Sequence, residues 1–362
     1  MPKNCQTISD WVEFLSAAQV PVLQRSIDEI EHLKADIEKV TIKDLSRVVL
    51  DDPMMALKVM SLLQRYREHK SSVSSEVTTF GGVLMMIGIQ PFFEHFKELY
   101  SIESVLAGDD NALDNVLNVI DRSRYAARYA YEMAIKRYDI DPYEVHIATL
   151  LHSTAEIMLW CFAPDRMRQI RALSLCYRHM RSARIQTYVM GFTFNELQTE
   201  MAQAWKLPEL LVELMDQNNE ENPRVRTVII ATNLARHSMN GLDDAALPDD
   251  YYDISNLLGV ELEEVLLKVA EIRENIVSIR REDETAMATG DNRKLSRAYI
   301  AHFESIFSQD EREGRLLFME DQPTADDLSA TDDSEENQHN TVIENRHTEK
   351  AVPLAGETAN SL

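Results

Sequence analysis

Apolar residues recur every three or four positions along nearly all of residues 8–282, the spacing of one buried face of an α-helix. Leu23, Ile27, Ile30 and Leu33 form one such stripe. A helix is expected over Ile42 to Leu50, with Thr41 as the N-cap whose hydroxyl takes an orphan backbone N–H. Asp52-Pro53 opens another, because proline tolerates the first helical turn, and Met54, Leu57, Met60 and Leu63 supply its apolar face. A polar break, Lys70 to Glu76, comes before a short helix over Val77 to Ile89, which Gly88 and the nearby Pro91 bring to an end.

Gly108-Asp109-Asp110-Asn111 is a second polar break and marks a lobe boundary. Val116 to Tyr138 reads as a long helix with Tyr and Ala on its inner stripe, and Asp141-Pro142 begins the helix that carries His152. Pro164 and Pro208 punctuate further helices, and Val225 to Arg236 and Leu262 to Ile279 complete the set. No strand-like alternation and no internal repeat is visible, so the fold class expected is all-α.

Composition alters this picture at the C-terminal end. After about residue 318 the chain is rich in Asp, Glu, Ser, Thr and Asn. Such a segment buries too little apolar surface to offset its ordering entropy, so a disordered acidic tail is expected over 319–362. Residues 283–318 read as a linker with one short amphipathic helix, Asn292 to Phe307. The net charge of −24 argues against a nucleic-acid partner, since phosphate contacts need an excess of Lys and Arg, and it suits an anionic membrane surface no better. Cys5, Cys161 and Cys176 are an odd number without CxxC spacing, which fits buried, inert thiols in a reducing compartment. With no basic stretch leading into an apolar leader, the expected location is cytoplasmic.

Several short motifs carry a resemblance. Val20-Pro21-Val22-Leu23 is similar to an "LP-x-LP" element, with Gln24 in place of the second proline. Asp52-Pro53-Met54-Met55-Ala56-Leu57-Lys58-Val59-Met60 matches a "DP-x-L" helix start, although the Asn-Ser dipeptide that should follow is missing. Val77-Thr78-Thr79-Phe80 through Ile87-Gly88, Leu150-Leu151-His152-Ser153, and Trp205-Lys206-Leu207-Pro208 follow in order. Together they resemble the HDOD family, the HD-related output domains of bacterial signalling proteins. The resemblance implies an N-terminal helical lobe, 1–107, packed on an HD-like helical lobe, 108–282. It also implies a signalling or regulatory role through protein–protein contact.

The resemblance further implies where a metal site would lie, and this chain departs from it there. The His-Asp pair of HD hydrolases becomes His152-Ser153. The preceding histidine falls at Ser123 or Arg124, and that of a "G-F-x-H" element falls at Phe194. A His-His pair falls at Asn218-Asn219, and the last aspartate falls at Thr232. Phosphoester hydrolysis by such a site needs one or two metals held by carboxylates or several imidazoles. His152 and Glu156, at helical i,i+4 spacing, are too few, and His146 lies on the opposite side, so no metal, no cofactor and no enzymatic activity are expected.

One stretch breaks the acidic pattern. Arg166, Arg168, Arg171, Arg178, Arg181 and Arg184 follow one another without an intervening acid, and Arg122, Arg124 and Arg128 form a second basic group. The first stretch reads either as a solvated face paired with the many carboxylates or as a surface for an anionic partner or a nucleotide. The latter makes a nucleotide or anion sensor the alternative function. The methionines, among them Met54, Met55, Met60, Met85, Met86 and Met158, read as core, with a Met-rich groove as the alternative.

Overall fold

The computed structural model describes residues 5–69, 80–177, 180–240 and 244–273, all within one compact unit, Met1–Ala301. The Lys70–Glu76 break, Val77 to Thr79, Arg178, the end of the Leu262–Ile279 helix after residue 273, the Asn292–Phe307 helix and the acidic tail lie outside the described residues. The N-terminal third of the unit contains α1 (Ile8–Ala17), α2 (Gln24–Lys34), α3 (Ile42–Leu50), α4 (Pro53–His69), α5 (Phe80–Ile87), α6 (Ile89–His95) and α7 (Ile102–Val105). The rest contains α8 (Asp110–Lys136), α9 (Pro142–Leu151), α10 (Thr154–Phe162), α11 (Pro164–Cys176), α12 (Ser182–Met190) and α13 (Phe194–Ala204). It ends with α14 (Glu209–Met215), α15 (Pro223–Asn240), α16 (Leu247–Leu258) and a helix over 262–273, α17. The described residues contain no strand beyond one isolated parallel bridge, Val22 to Ser101, so the fold is all-α.

That bridge explains the Val20–Leu23 motif. Ile102 N–H donates to Val22 C=O and Val22 N–H to Tyr100 C=O, each at 2.8 Å, which pins the extended tetrapeptide on one side. On the other side Asp52 takes it. Its Oδ2 accepts the Leu23 N–H at 2.7 Å and the Ser26 hydroxyl at 2.9 Å, while Oδ1 accepts Met54 and Met55 N–H groups at the start of α4. One fully buried carboxylate therefore caps a helix and anchors a loop; burial raises its pKa and the four donors oppose that rise. The two motifs are parts of one contact.

The helices form where the periodicity placed them, with three differences. Thr41 caps α3 through a reciprocal capping box with Asp44. The long helix α8 begins at Asp110, earlier than the apolar stripe suggests, because Asp109 accepts the Ala112 N–H and acts as its N-cap. The polar break thus supplies the cap. The helix expected through Ile89 is divided at Gly88, whose φ of 87° stops α5 at Ile87 before α6 starts. Thirdly, the helix carrying His152 ends there instead of running through it.

Helix α8 is the spine, packed along α9 and α15, with Ala126, Ala127, Tyr129, Ala130 and Ala134 on its buried face. Small residues there let the neighbouring helices approach closely. Arg224 of α15 ties its end to the α8–α9 turn through Asp139 at 3.1 Å and Glu144 at 2.7 Å. Helices α1 and α4 reach across to α13 and to α9 and α10. Pro142–Phe162 is long and apolar enough to cross a membrane by composition, but 78% of its apolar window is buried inside the protein, so its apolarity serves the core. Met54, Met55, Met60 and Met158 are core as expected, whereas Met85 on α5 is 71% exposed.

Candidate functional site

His152 is the C-cap of α9 and Ser153 the residue before α10, with φ −107° and ψ 13°. The pair therefore occupies a tight junction between two helices, and His152 and Glu156 do not lie on one continuous helix. Both junction residues are buried. Ser153 makes no side-chain cap for α10. That task falls to Gln198 on α13, whose Oε1 accepts the Ala155 N–H at 2.8 Å and the Thr154 hydroxyl at 3.2 Å. Gln198 carries no motif, and nothing in the sequence pattern points to it.

The groups around His152 are mostly cationic or neutral. Burial, then the charges of Arg122 and Arg236, push the His152 pKa down to about 4, so the ring is neutral at physiological pH. Its Nε2 lies 3.5 Å from the Gln217 Nε2. Gln217, next to the two asparagines singled out from sequence, is the residue that meets the histidine; Asn218 and Asn219 are exposed, and Asn218 turns back to Asp216. From α10, Glu156 forms an ion pair with Arg122 of α8.

On α15, Thr232 bonds back to Val228 C=O at 2.8 Å, and Arg236 lies one turn further along. Arg236 Nη2 donates to Asn233 Oδ1 at 2.8 Å and approaches His237 Nε2 at 3.5 Å. Burial and the charge of Arg122 hold the Arg236 pKa below its usual value, while Glu156, Asp250 and Asp244 oppose them. Asp250 itself is engaged with His237 Nδ1 at 2.6 Å.

Other candidate positions lie apart from this cluster. The Ser123 hydroxyl donates to Val119 C=O within α8. Arg124 points at Asp51, not at His152. Phe194 is the first residue of α13, its N–H held by Gln186 Oε1 at 2.9 Å. His146 is neutral as well, its pKa pushed down to about 4 by burial, with Nδ1 3.1 Å from Ala127 C=O.

A divalent metal does not fit these residues. The donors near the junction are one neutral imidazole, an amide, and a single carboxylate already paired with Arg122, with Arg236 as a second guanidinium beside them. Among the described residues no three His, Cys, Asp or Glu side chains group together for an ion. No metal-dependent step is derived for this site.

The arginine stretch falls on α11 and α12, which pack together. Arg168 is committed, bonded to Asp109 at 2.8 Å and to Asp165. Arg166, Arg171, Arg181 and Arg184 are exposed and make no ion pair within 4.0 Å among the described residues. Leu175 (60% exposed), Tyr177 and Tyr188 (79% exposed) lie among them. Cys176 is exposed there too, unlike Cys161, whose thiol burial pushes up to about 12.

A model of the HDOD domain matches residues 20–221. That span exceeds half of the chain, and the chain belongs to the HDOD family. Two solved structures share the fold. One is the MmoQ response regulator from Methylococcus capsulatus, 17% identical over 70% of this chain and 98% of that chain, with a TM-score of 0.51. The other is a virulence factor from Campylobacter jejuni, 13% identical over 75% of this chain and 100% of that chain, also with a TM-score of 0.51. No curated protein matches.

Proposed function

We propose that this chain is a non-catalytic HDOD protein that acts in bacterial signal transduction, in the cytoplasm, through protein–protein contact. The observation that carries the reading is the Arg122–Glu156 ion pair beside a neutral His152. A carboxylate neutralised by a guanidinium is a poor ligand, and one imidazole does not hold a metal against water. A signalling role is supported by the family and by the response regulator whose fold it shares.

The contact surface we assign is the α11–α12 pair. Exposed Tyr and Arg are the residue types enriched at interface hot spots, and four guanidiniums that make no ion pair among the described residues suit an acidic protein surface. Purified full-length protein should show no metal-dependent hydrolysis of a cyclic dinucleotide or a phosphomonoester. Turnover that needs added metal and disappears in His152→Ala overturns the non-catalytic reading. In capture from the native host, partners held by the wild type should be lost from the Arg171→Glu/Arg181→Glu/Arg184→Glu variant. The alternative is a nucleotide held by the same arginines, and calorimetric binding of a nucleotide abolished by that triple variant would favour it.

A further inference from the structure

We infer that the acidic surface received by α11–α12 belongs to a second copy of this chain, and that it is the α16–α17 hairpin. The inference rests on the contact surface assigned above and gives it an occupant. No acid occurs from Arg166 to Asn195, and Arg166, Arg171, Arg181 and Arg184 are exposed without an ion pair among the described residues. The hairpin carries the opposite set. Asp249 and Asp253 on α16, and Glu261 and Glu263 where α17 begins, are exposed and make no ion pair among the described residues. The ion pairs of the hairpin use other acids, Asp250, Glu264 and Glu271.

Both faces also expose apolar groups. Helix α17 buries Val265, Val269 and Ile272, one helical stripe, and Lys136–Glu264 at 2.8 Å and Lys268–Glu132 at 3.4 Å fasten it to α8. Leu262 and Leu266, at i,i+4 spacing on another stripe, stay open, as do Leu267 and Tyr252. Opposite them, α11–α12 offers Leu175 and Tyr188. Surface ion pairs alone bind weakly, so apolar groups that shed water between the charges supply what the pairs lack. Both faces belong to one compact unit, where α11 packs on α10 and α12 while α16 packs on α15. Neither face pairs with the other there, so they meet only between copies. The contact is head-to-tail and leaves one face of each sign open, which lets the assembly grow into a ring or a chain. The net charge of −24 opposes association, but salt screens distant charges beyond about 8 Å and leaves pairs in contact stronger.

Sedimentation velocity of the full-length protein at about 0.15 M salt is the test. Species larger than the monomer should grow with concentration up to about 100 µM and disperse at about 1 M salt. Arg171→Glu/Arg181→Glu/Arg184→Glu and Asp253→Lys/Glu261→Lys/Glu263→Lys should each weaken association by about tenfold or more, because each variant carries two faces of like sign. An equimolar mixture of the two variants brings opposite signs together again and should associate. A wild type that stays monomeric, a variant that associates as the wild type does, or a mixture that stays monomeric overturns the inference. If either variant fails to fold, salt decides: wild-type association that is unchanged at about 1 M salt overturns it. A monomeric wild type that still loses a host partner on the arginine substitutions sinks this inference and leaves the proposed function standing. Metal-dependent turnover by a protein that associates as described does the reverse.

Discussion

Arg124 of α8 grips Asp51 twice, its Nε donating to the Asp51 backbone carbonyl at 2.6 Å and its Nη2 to the carboxylate at 3.0 Å. Arg25 of α2 pairs with the same carboxylate. Where the family resemblance leads one to look for a first metal ligand, α8 therefore carries a clamp onto the end of α3. Two residues earlier Arg122 pairs with Glu156 of α10 instead, and its charge acts on His152. Alternate residues on one helix serve cohesion and the site.

Arg124→Ala removes the clamp and leaves Asp51 with Arg25 alone. Removing one partner from a partly buried ionic network costs about 2–4 kcal/mol. Urea denaturation of the variant should show a lower midpoint with an unchanged slope. A cost below about 0.5 kcal/mol, the level of an ordinary surface substitution, refutes the clamp.

Asp52 joins two motifs that look independent in the sequence. Asp52→Ala leaves the Leu23 N–H, the Ser26 hydroxyl and two N–H groups of α4 without their acceptor, an expected loss on the order of 3–5 kcal/mol. Ser26→Ala removes only one donor and should cost about 1 kcal/mol. The ratio between the two variants is the informative quantity, and near-equal losses would show that the Leu23, Met54 and Met55 N–H groups add nothing to the Ser26 bond.

Fold class and family were legible because both rest on local signals: a 3.6-residue apolar period and short motifs in a fixed order. Gly88 and Thr41 were legible for the same reason. The Asp109 cap was readable in principle, but a polar tetrapeptide resembles a break until the helix behind it is seen. Contacts between helices were not legible. Periodicity says that Arg122, Gln198 and Arg236 each lie on a helix, not that Arg122 meets Glu156 or that Gln198 caps α10 across 43 residues of chain. The register of one helix against another is set by packing, which a single sequence does not encode locally.

Two neutral, buried histidines give the protein an acid-sensitive window. His146 and His152 titrate near pH 4 in the folded state and near 6.5 when unfolded. Above about pH 6.5 neither state is protonated and stability is unaffected. Between about 6.5 and 4 the unfolded chain takes up protons that the native rings refuse, so stability falls as pH falls. Each ring contributes a loss on the order of 3 kcal/mol by about pH 4. Denaturation midpoints measured from pH 7 to 5 should decline, and His152→Gln should flatten part of that slope. A variant with the wild-type slope would show that His152 is not the neutral buried group described.

Ser153→Asp restores the missing half of the His-Asp pair, and it should still bind no metal. The new carboxylate enters a cluster already holding Arg122 and Arg236, and its stable partner is a guanidinium rather than a dication. A divalent ion placed there would face the guanidiniums of Arg122 and Arg236, with Glu156 already paired with Arg122 and Asp250 with His237. Thermal melts with Mn²⁺ or Ni²⁺ should match those in EDTA for both wild type and Ser153→Asp. A saturable, EDTA-reversible rise in melting temperature in the variant would mean that the serine alone separates this site from a metal centre, and that the arginines stand further from the junction than their effect on His152 requires.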